Sequence, residues 1–198
     1  MALESEQTPR GRRHERHRAG SAGTALIVVD MLNPYRHSEA ERLASRVGDA
    51  MPGIQTLLSR AAEADLPIVY VNDNYGDWNS SAEELAENAL SGAHPELVEP
   101  VLPPGGHSFV IKARHSIFYG TPLEYLLDQM AVDRLVLCGQ VTEQCIFYSA
   151  LDAHVRRFKV AVPPDGVAAI YDHLAEAALE MMERNLSAEV DEAAECSF

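Results

Sequence analysis

Three polar side chains in this sequence stand where a short apolar run ends: Asp30 after ALIVV, Lys112 after SFVI, and Cys145 just beyond LVLC. The richest stretch is LVLCGQVTEQC, residues 135–145. It reads as a buried strand that breaks at Gly139 and turns into a helix near Thr142. Thr142 is a candidate N-cap, because its hydroxyl can accept a backbone N–H one turn on. That count puts Cys145 at the third helical position. There the helix dipole favours negative charge and hence the thiolate. A thiolate so placed is suited to attack an acyl carbon. Taken singly, each group has an ordinary explanation. A carboxylate at a strand end caps a turn, a lysine is solvated, and a cysteine packs as a small hydrophobe. Cys138, mid-strand, is assigned to packing, and Cys196 has no evident context. The chemistry requires a fold that brings the three strand ends to one place.

The order of elements supplies such a fold. Apolar runs at 25–29, 67–71, 108–111, 135–138 and 159–162 read as strands, with a further edge strand at 188–190. Helical spacing marks residues 40–64 (with Pro52–Gly53 as a point of interruption), 145–157 and 173–186. TPLE, residues 121–124, has the form of a capping box with Pro at the first helical position. Strands without polar alternation are buried on both faces and need helices on both sides. The expected fold is a three-layer αβα sandwich, a doubly wound and mainly parallel sheet of five to six strands. Residues 74–107 fit that rhythm less well and read as a long excursion over the edge or mouth of the sheet. In such sheets, sites form beyond the carboxyl ends of the strands, where Asp30, Lys112 and Cys145 all lie.

Composition narrows the function classes. The 198 residues carry a formal net charge of −14. Residues 1–22 hold five arginines and three glutamates, and the remainder holds 11 basic and 27 acidic residues, a net of −16. An acidic body repels phosphate backbones, so nucleic-acid binding by the domain at 23–198 is not expected. Residues 1–22 read as a disordered arm, in which the pair His14 and His17 makes a poor metal site. No apolar run is long enough to span a bilayer, no signal-peptide core opens the chain, and three cysteines do not suggest a disulfide framework. A cytoplasmic protein with no membrane partner is expected. No G-x-S-x-G elbow, phosphate-binding loop or dinucleotide fingerprint occurs.

TALIVVDMLNPY, VIKARHSIFYGTPLEYLL and LVLCGQVTEQCIFYSALDAHVRRFKVAVPPDGVAA, in that order, resemble the isochorismatase-like cysteine hydrolases. That group includes nicotinamidases, carbamoylsarcosine and ureidoacrylate amidohydrolases, and isochorismatase itself. The resemblance runs from Thr24 to about Val190. It implies a catalytic triad of Asp30, Lys112 and Cys145. It also implies a cis peptide at Gln140–Val141 and an oxyanion hole made by the backbone N–H groups of Val141 and Cys145. Tyr35 falls where relatives stack an aromatic ring on the substrate. Phe118, Tyr119 and Trp78 are further candidate walls, each equally compatible with packing.

The implied reaction is hydrolysis of the amide or carbamoyl C–N bond of a small molecule through a thioester, with no cofactor. Asp30 takes the thiol proton, passes it to the departing nitrogen and then activates water. Lys112 steadies both anions. Tyr75 stands where the nicotinamidases carry the first histidine of their metal site, after Asp73, so no metal is expected. Leu32 replaces a common glutamine, and Glu143 replaces the usual Asn or Asp after the turn threonine. His115, three residues past Lys112, either lines the pocket or serves outside it. A vinyl ether hydrolase and a non-catalytic binding module are the alternatives on the same fold. A homo-oligomer, dimer or tetramer, is expected from the family.

Overall fold

The computed structural model describes residues 23–198; the arm expected over residues 1–22, with His14 and His17, lies outside them. The chain runs β1 (Gly23–Val29), α1 (Ala40–Glu63), β2 (Ile68–Asp73), α2 (Ala82–Leu90), α3 (Pro95–Val98), β3 (Ser108–Lys112), α4 (Leu123–Gln129), β4 (Val132–Gln140), α5 (Phe147–Val155), β5 (Lys159–Ala161), β6 (Val167–Ala168) and α6 (Asp172–Leu186). The six-stranded sheet has the order β3-β2-β1-β4-β5, with β6 against the end of β4, and every pairing is parallel. From β1 the chain winds outward through β2 and β3, then returns to β4 on the other side. β1 and β4 therefore flank the point where the strand order reverses, the place where open parallel sheets form their sites.

Alternation along β1 sorts the core into two halves. Leu26 and Val28 face one layer, where Leu43, Val47, Ile54 and Leu57 of α1 pack with Leu85 and Val98 of the excursion. Ala25, Ile27 and Val29 face the other, against Leu123 and Leu127 of α4, Ala150 and Ala153 of α5, and Met182 of α6. Both faces are buried, as the unbroken apolar runs require. Among the described residues, no helix is long and apolar enough to cross a membrane.

Local expectations are corrected at several points. α1 runs unbroken through Pro52 and Gly53. A Cβ at Gly53 would stand 2.2 Å from the carbonyl oxygen of Asp165, so that glycine serves a close approach to the β5–β6 loop. TPLE makes no capping box: Pro122 is the cap residue of α4, Thr121 Oγ1 donates to Ile117 O, and Glu124 turns to Arg156. The chain at 188–190 forms only a bridge, Ala161 to Glu189, while β6 was not anticipated because two residues carry no periodicity. The excursion is anchored rather than loose. Ser81 and Glu84 form a reciprocal cap on α2, and Arg36 donates to Ser91 O at 2.9 Å.

Candidate active site

Asp30 is the first residue beyond β1 and adopts φ 55°, a left-handed turn that swings its carboxylate across the ends of the neighbouring strands. Its N–H donates to Val71 O, and the side-chain amide of Gln140 donates to its carbonyl oxygen. The carboxylate is engaged on both oxygens. Oδ1 accepts the N–H of Asp73 at 2.7 Å, and Oδ2 lies 2.8 Å from Lys112 Nζ.

Lys112 closes β3 with its side chain fully buried. An ammonium has three protons to place, and three acceptors surround this one: Asp30 Oδ2 at 2.8 Å, Asp73 Oδ2 at 3.5 Å and Cys145 Sγ at 3.5 Å. Burial by itself pulls the Lys112 pKa down, but Asp30, Cys145 and Asp73 outweigh it and hold the amine above its usual value. Burial pushes the Asp30 carboxyl up, against the opposing pull of Lys112 and a hydrogen bond with Cys145.

Cys145 approaches from β4. At Gly139 the backbone takes φ 111°, and a Cβ there would fall 2.2 Å from Val29 O, so only glycine lets β4 run this close to β1. The Gln140–Val141 peptide is cis. Thr142–Ile146 is one turn of π-helix that leads into α5, with Val141 O accepting from both Gln144 N and Ile146 N. Thr142 is therefore inside the turn and not its cap. π-Turns often mark functional positions in helices.

The surroundings of Cys145 work against the resting thiolate expected from the helix end. Burial, and next the charge of Asp30, push the Cys145 thiol well above its ordinary value, and Lys112 only partly offsets them. Desolvation and a neighbouring carboxylate outweigh the helix end. The thiol, the carboxyl and the amine thus share one buried cluster in which burial opposes charge on each.

The other residues singled out in the sequence fall as follows. Tyr35 is buried, with φ 51°, edge-on to His94, and its hydroxyl has no hydrogen-bond partner among the described residues; burial raises that hydroxyl to about 12. Phe118 stacks on Phe158 at 5.7 Å beneath the Arg156 guanidinium, which favours packing of the two roles left open for it. Trp78 and Tyr119 stand in solvent, 80% and 66% exposed. Glu143 reaches the loop before α6, where Oε1 accepts the N–H groups of Ile170 and Tyr171. Its charge thus braces the turn that carries the thiol.

The donor set does not fit the metal site that the resemblance attributes to the nicotinamidases. Asp73 directs Oδ2 to Lys112 and Oδ1 to the N–H of Tyr75. His94 is tied to Glu41 and Glu96, and His107 to Pro104 O. No group of three or more His, Cys, Asp or Glu among the described residues is arranged to hold a metal ion. Two further residues join the cluster: Asp73, singled out in the sequence only in connection with a metal site, and His115, for which a place in the pocket or outside it was left open. Asp73 bridges Asp30 and Lys112, and His115 Nδ1 lies 3.7 Å from Cys145 Sγ. The place of Asp73, one strand from Asp30 at the same sheet end, was the signal available for it.

A doubly wound sheet that gathers a thiol, an ammonium and carboxylates at its switch point is the architecture of the isochorismatase-like hydrolases. The chain belongs to that family: the Isochorismatase domain matches residues 24–195. It is 32% identical to an uncharacterized isochorismatase family protein of Bacillus subtilis (strain 168), over 85% of this chain and 93% of that one. It is 29% identical to a maleamate amidohydrolase of Pseudomonas putida, over 70% and 68%. An N-carbamoylsarcosine amidase from Thermoplasma acidophilum has the same fold, with a TM-score of 0.69 and 27% identity over 89% of this chain and 99% of that one.

Proposed function

We propose that this hydrolase cleaves the amide or carbamoyl C–N bond of a small molecule through a thioester on Cys145. The observation that carries the reading is the buried Lys112 ammonium, 2.8 Å from Asp30 Oδ2 and 3.5 Å from Cys145 Sγ. Asp30 takes the thiol proton as the S–C bond forms. A carboxylate whose pKa is raised by burial holds that proton firmly enough to carry it, and it releases the proton to the departing nitrogen as the C–N bond breaks. Lys112 keeps the local charge balanced while sulfur becomes anionic. The backbone N–H groups of Val141 and Cys145 serve the developing oxyanion, on a turn fixed by Val141 O. Tyr35 borders the substrate, and water completes hydrolysis.

Two relatives named for amide hydrolysis, the maleamate amidohydrolase and the N-carbamoylsarcosine amidase, support the bond type. The test is a screen of small primary amides, carbamoyl compounds and a vinyl ether, scored for ammonia or pyruvate release. Ammonia release by the wild type and its loss in Cys145→Ala support the reading. Pyruvate release alone, or ammonia release that survives in Cys145→Ala, refutes it.

A further inference from the structure

The sulfur has two nitrogen neighbours of different kinds among the described residues. Lys112 Nζ lies on its buried side, and His115 Nδ1, on an exposed residue, lies 3.7 Å away. His115 is held in place by the segment behind it. Ser116 Oγ donates to the Asp152 carboxylate, and Ile117 N donates to Ser149 Oγ at 3.1 Å, so both ties run to α5. The imidazole also stacks on Tyr148 of the same helix, with centroids 5.4 Å apart and planes 17° from parallel.

The two half-reactions make different demands. Acylation needs a base inside the cleft, against the S–H bond, and Asp30 stands there. Deacylation needs a base that meets incoming water. Asp30 is buried, whereas His115 is exposed. An imidazole at the solvent side of the sulfur meets water first, and imidazole is the side chain used most often for such transfer.

We infer that His115 is the catalytic base of deacylation, replacing Asp30 for that step; this rests on the thioester reading above. Water forms the new O–C bond to the acyl carbon and gives its proton to the His115 ring. The C–S bond then breaks, the electron pair returns to sulfur, and the imidazolium hands the proton across the 3.7 Å gap to Sγ. The product is a carboxylic acid, and both cysteine and histidine return to their starting forms. Asp30 has already returned to carboxylate by protonating the amine. Each half-reaction is thereby closed on its own proton.

The test uses the full chain and p-nitrophenyl acetate as acyl donor, whose leaving group needs no protonation. For His115→Gln and His115→Asn, we expect the initial burst of p-nitrophenolate to persist within about twofold of wild type. Steady-state turnover falls about a hundredfold or more. One acetyl group accumulates on Cys145 by intact mass and peptide mapping, and added hydroxylamine, a nucleophile that needs no base, restores turnover. A merely structural role would slow burst and turnover together. That result, or turnover lost without acetyl on Cys145 in the variants, overturns the assignment. Absence of a burst and of acetylation at Cys145 in every form, wild type included, would instead remove the thioester reading and the assignment with it.

Discussion

The Nζ of Lys112 lies 3.5 Å from the Sγ of Cys145, a thiol whose pKa burial and Asp30 push above its ordinary value. The ammonium is shared with two carboxylates, and the nearer one raises the thiol as Lys112 lowers it. In the proposed reaction, proton transfer to Asp30 is accordingly a step and not a resting condition. This separates the cluster from thiol enzymes that store a thiolate beside an imidazolium.

Alkylation reads that difference directly. Because burial and Asp30 raise the Cys145 pKa, the thiolate fraction at neutral pH is below that of a free thiol and grows only as pH rises past the ordinary thiol range. Iodoacetamide is expected to modify Cys145 more slowly than free cysteine at pH 7, with the rate still climbing in alkaline buffer. Asp30→Asn removes a raising charge, so labelling at a given pH becomes faster while amide turnover is lost. A slower rate in Asp30→Asn would contradict the assignment.

Lys112→Met tests the ammonium. It leaves Asp30 and Asp73 facing each other without their shared cation, and breaking a buried pair by removing one partner destabilises by about 3–5 kcal/mol. The sign with pH follows from the loss of a lowering influence on Asp30, whose folded-state pKa is already raised. A carboxyl raised on folding favours the fold in its neutral form, so the deficit shrinks as pH falls toward that pKa and widens above it. Denaturant titrations at neutral and mildly acidic pH measure both. Turnover is expected to fall about a hundredfold or more.

Gly139→Ala probes the approach of β4 to β1. A Cβ 2.2 Å from Val29 O, at φ 111°, cannot be accommodated without parting the strands that carry Asp30 and Cys145. A loss of about 3 kcal/mol or more is expected by denaturant unfolding, with activity falling further than stability explains.

Glu143 is a brace and not a reacting group. Glu143→Gln keeps an acceptor for the N–H groups of Ile170 and Tyr171 and is expected to fold and turn over near wild type. Glu143→Ala orphans both donors, at about 1–3 kcal/mol, and loosens the turn bearing Cys145. Melting temperature and kcat, measured together on both variants, distinguish a brace from a charge effect.

The fold and the convergence of Asp30, Lys112 and Cys145 were legible because they follow from simple patterns. Unbroken apolar runs fix buried parallel strands, and polar residues at the ends of such strands meet at one edge. What the pattern could not carry were effects set by tertiary proximity. Counting from Thr142 placed Cys145 in an α-helical first turn. The π-turn at 142–146 has no periodic signature, and the cis peptide at Gln140–Val141 was expected from the family resemblance and not from any pattern. The thiol's protonation depends on Asp30, 115 positions away in sequence. The two-residue β6 and the tie between His115 and α5 likewise depend on distant partners, Gly139 and Gln140 for the first and Asp152 and Ser149 for the second. The TPLE segment failed as a local reading because Glu124 found a better partner in Arg156.

The most direct measurement is an acid quench of the wild-type protein during turnover of an amide found in the screen, followed by peptide mapping. The acyl portion of that amide should be attached to Cys145, absent from Cys145→Ala, and more abundant in His115→Gln. Continued turnover with no acyl group on Cys145, together with undiminished activity in Cys145→Ala, would contradict the account.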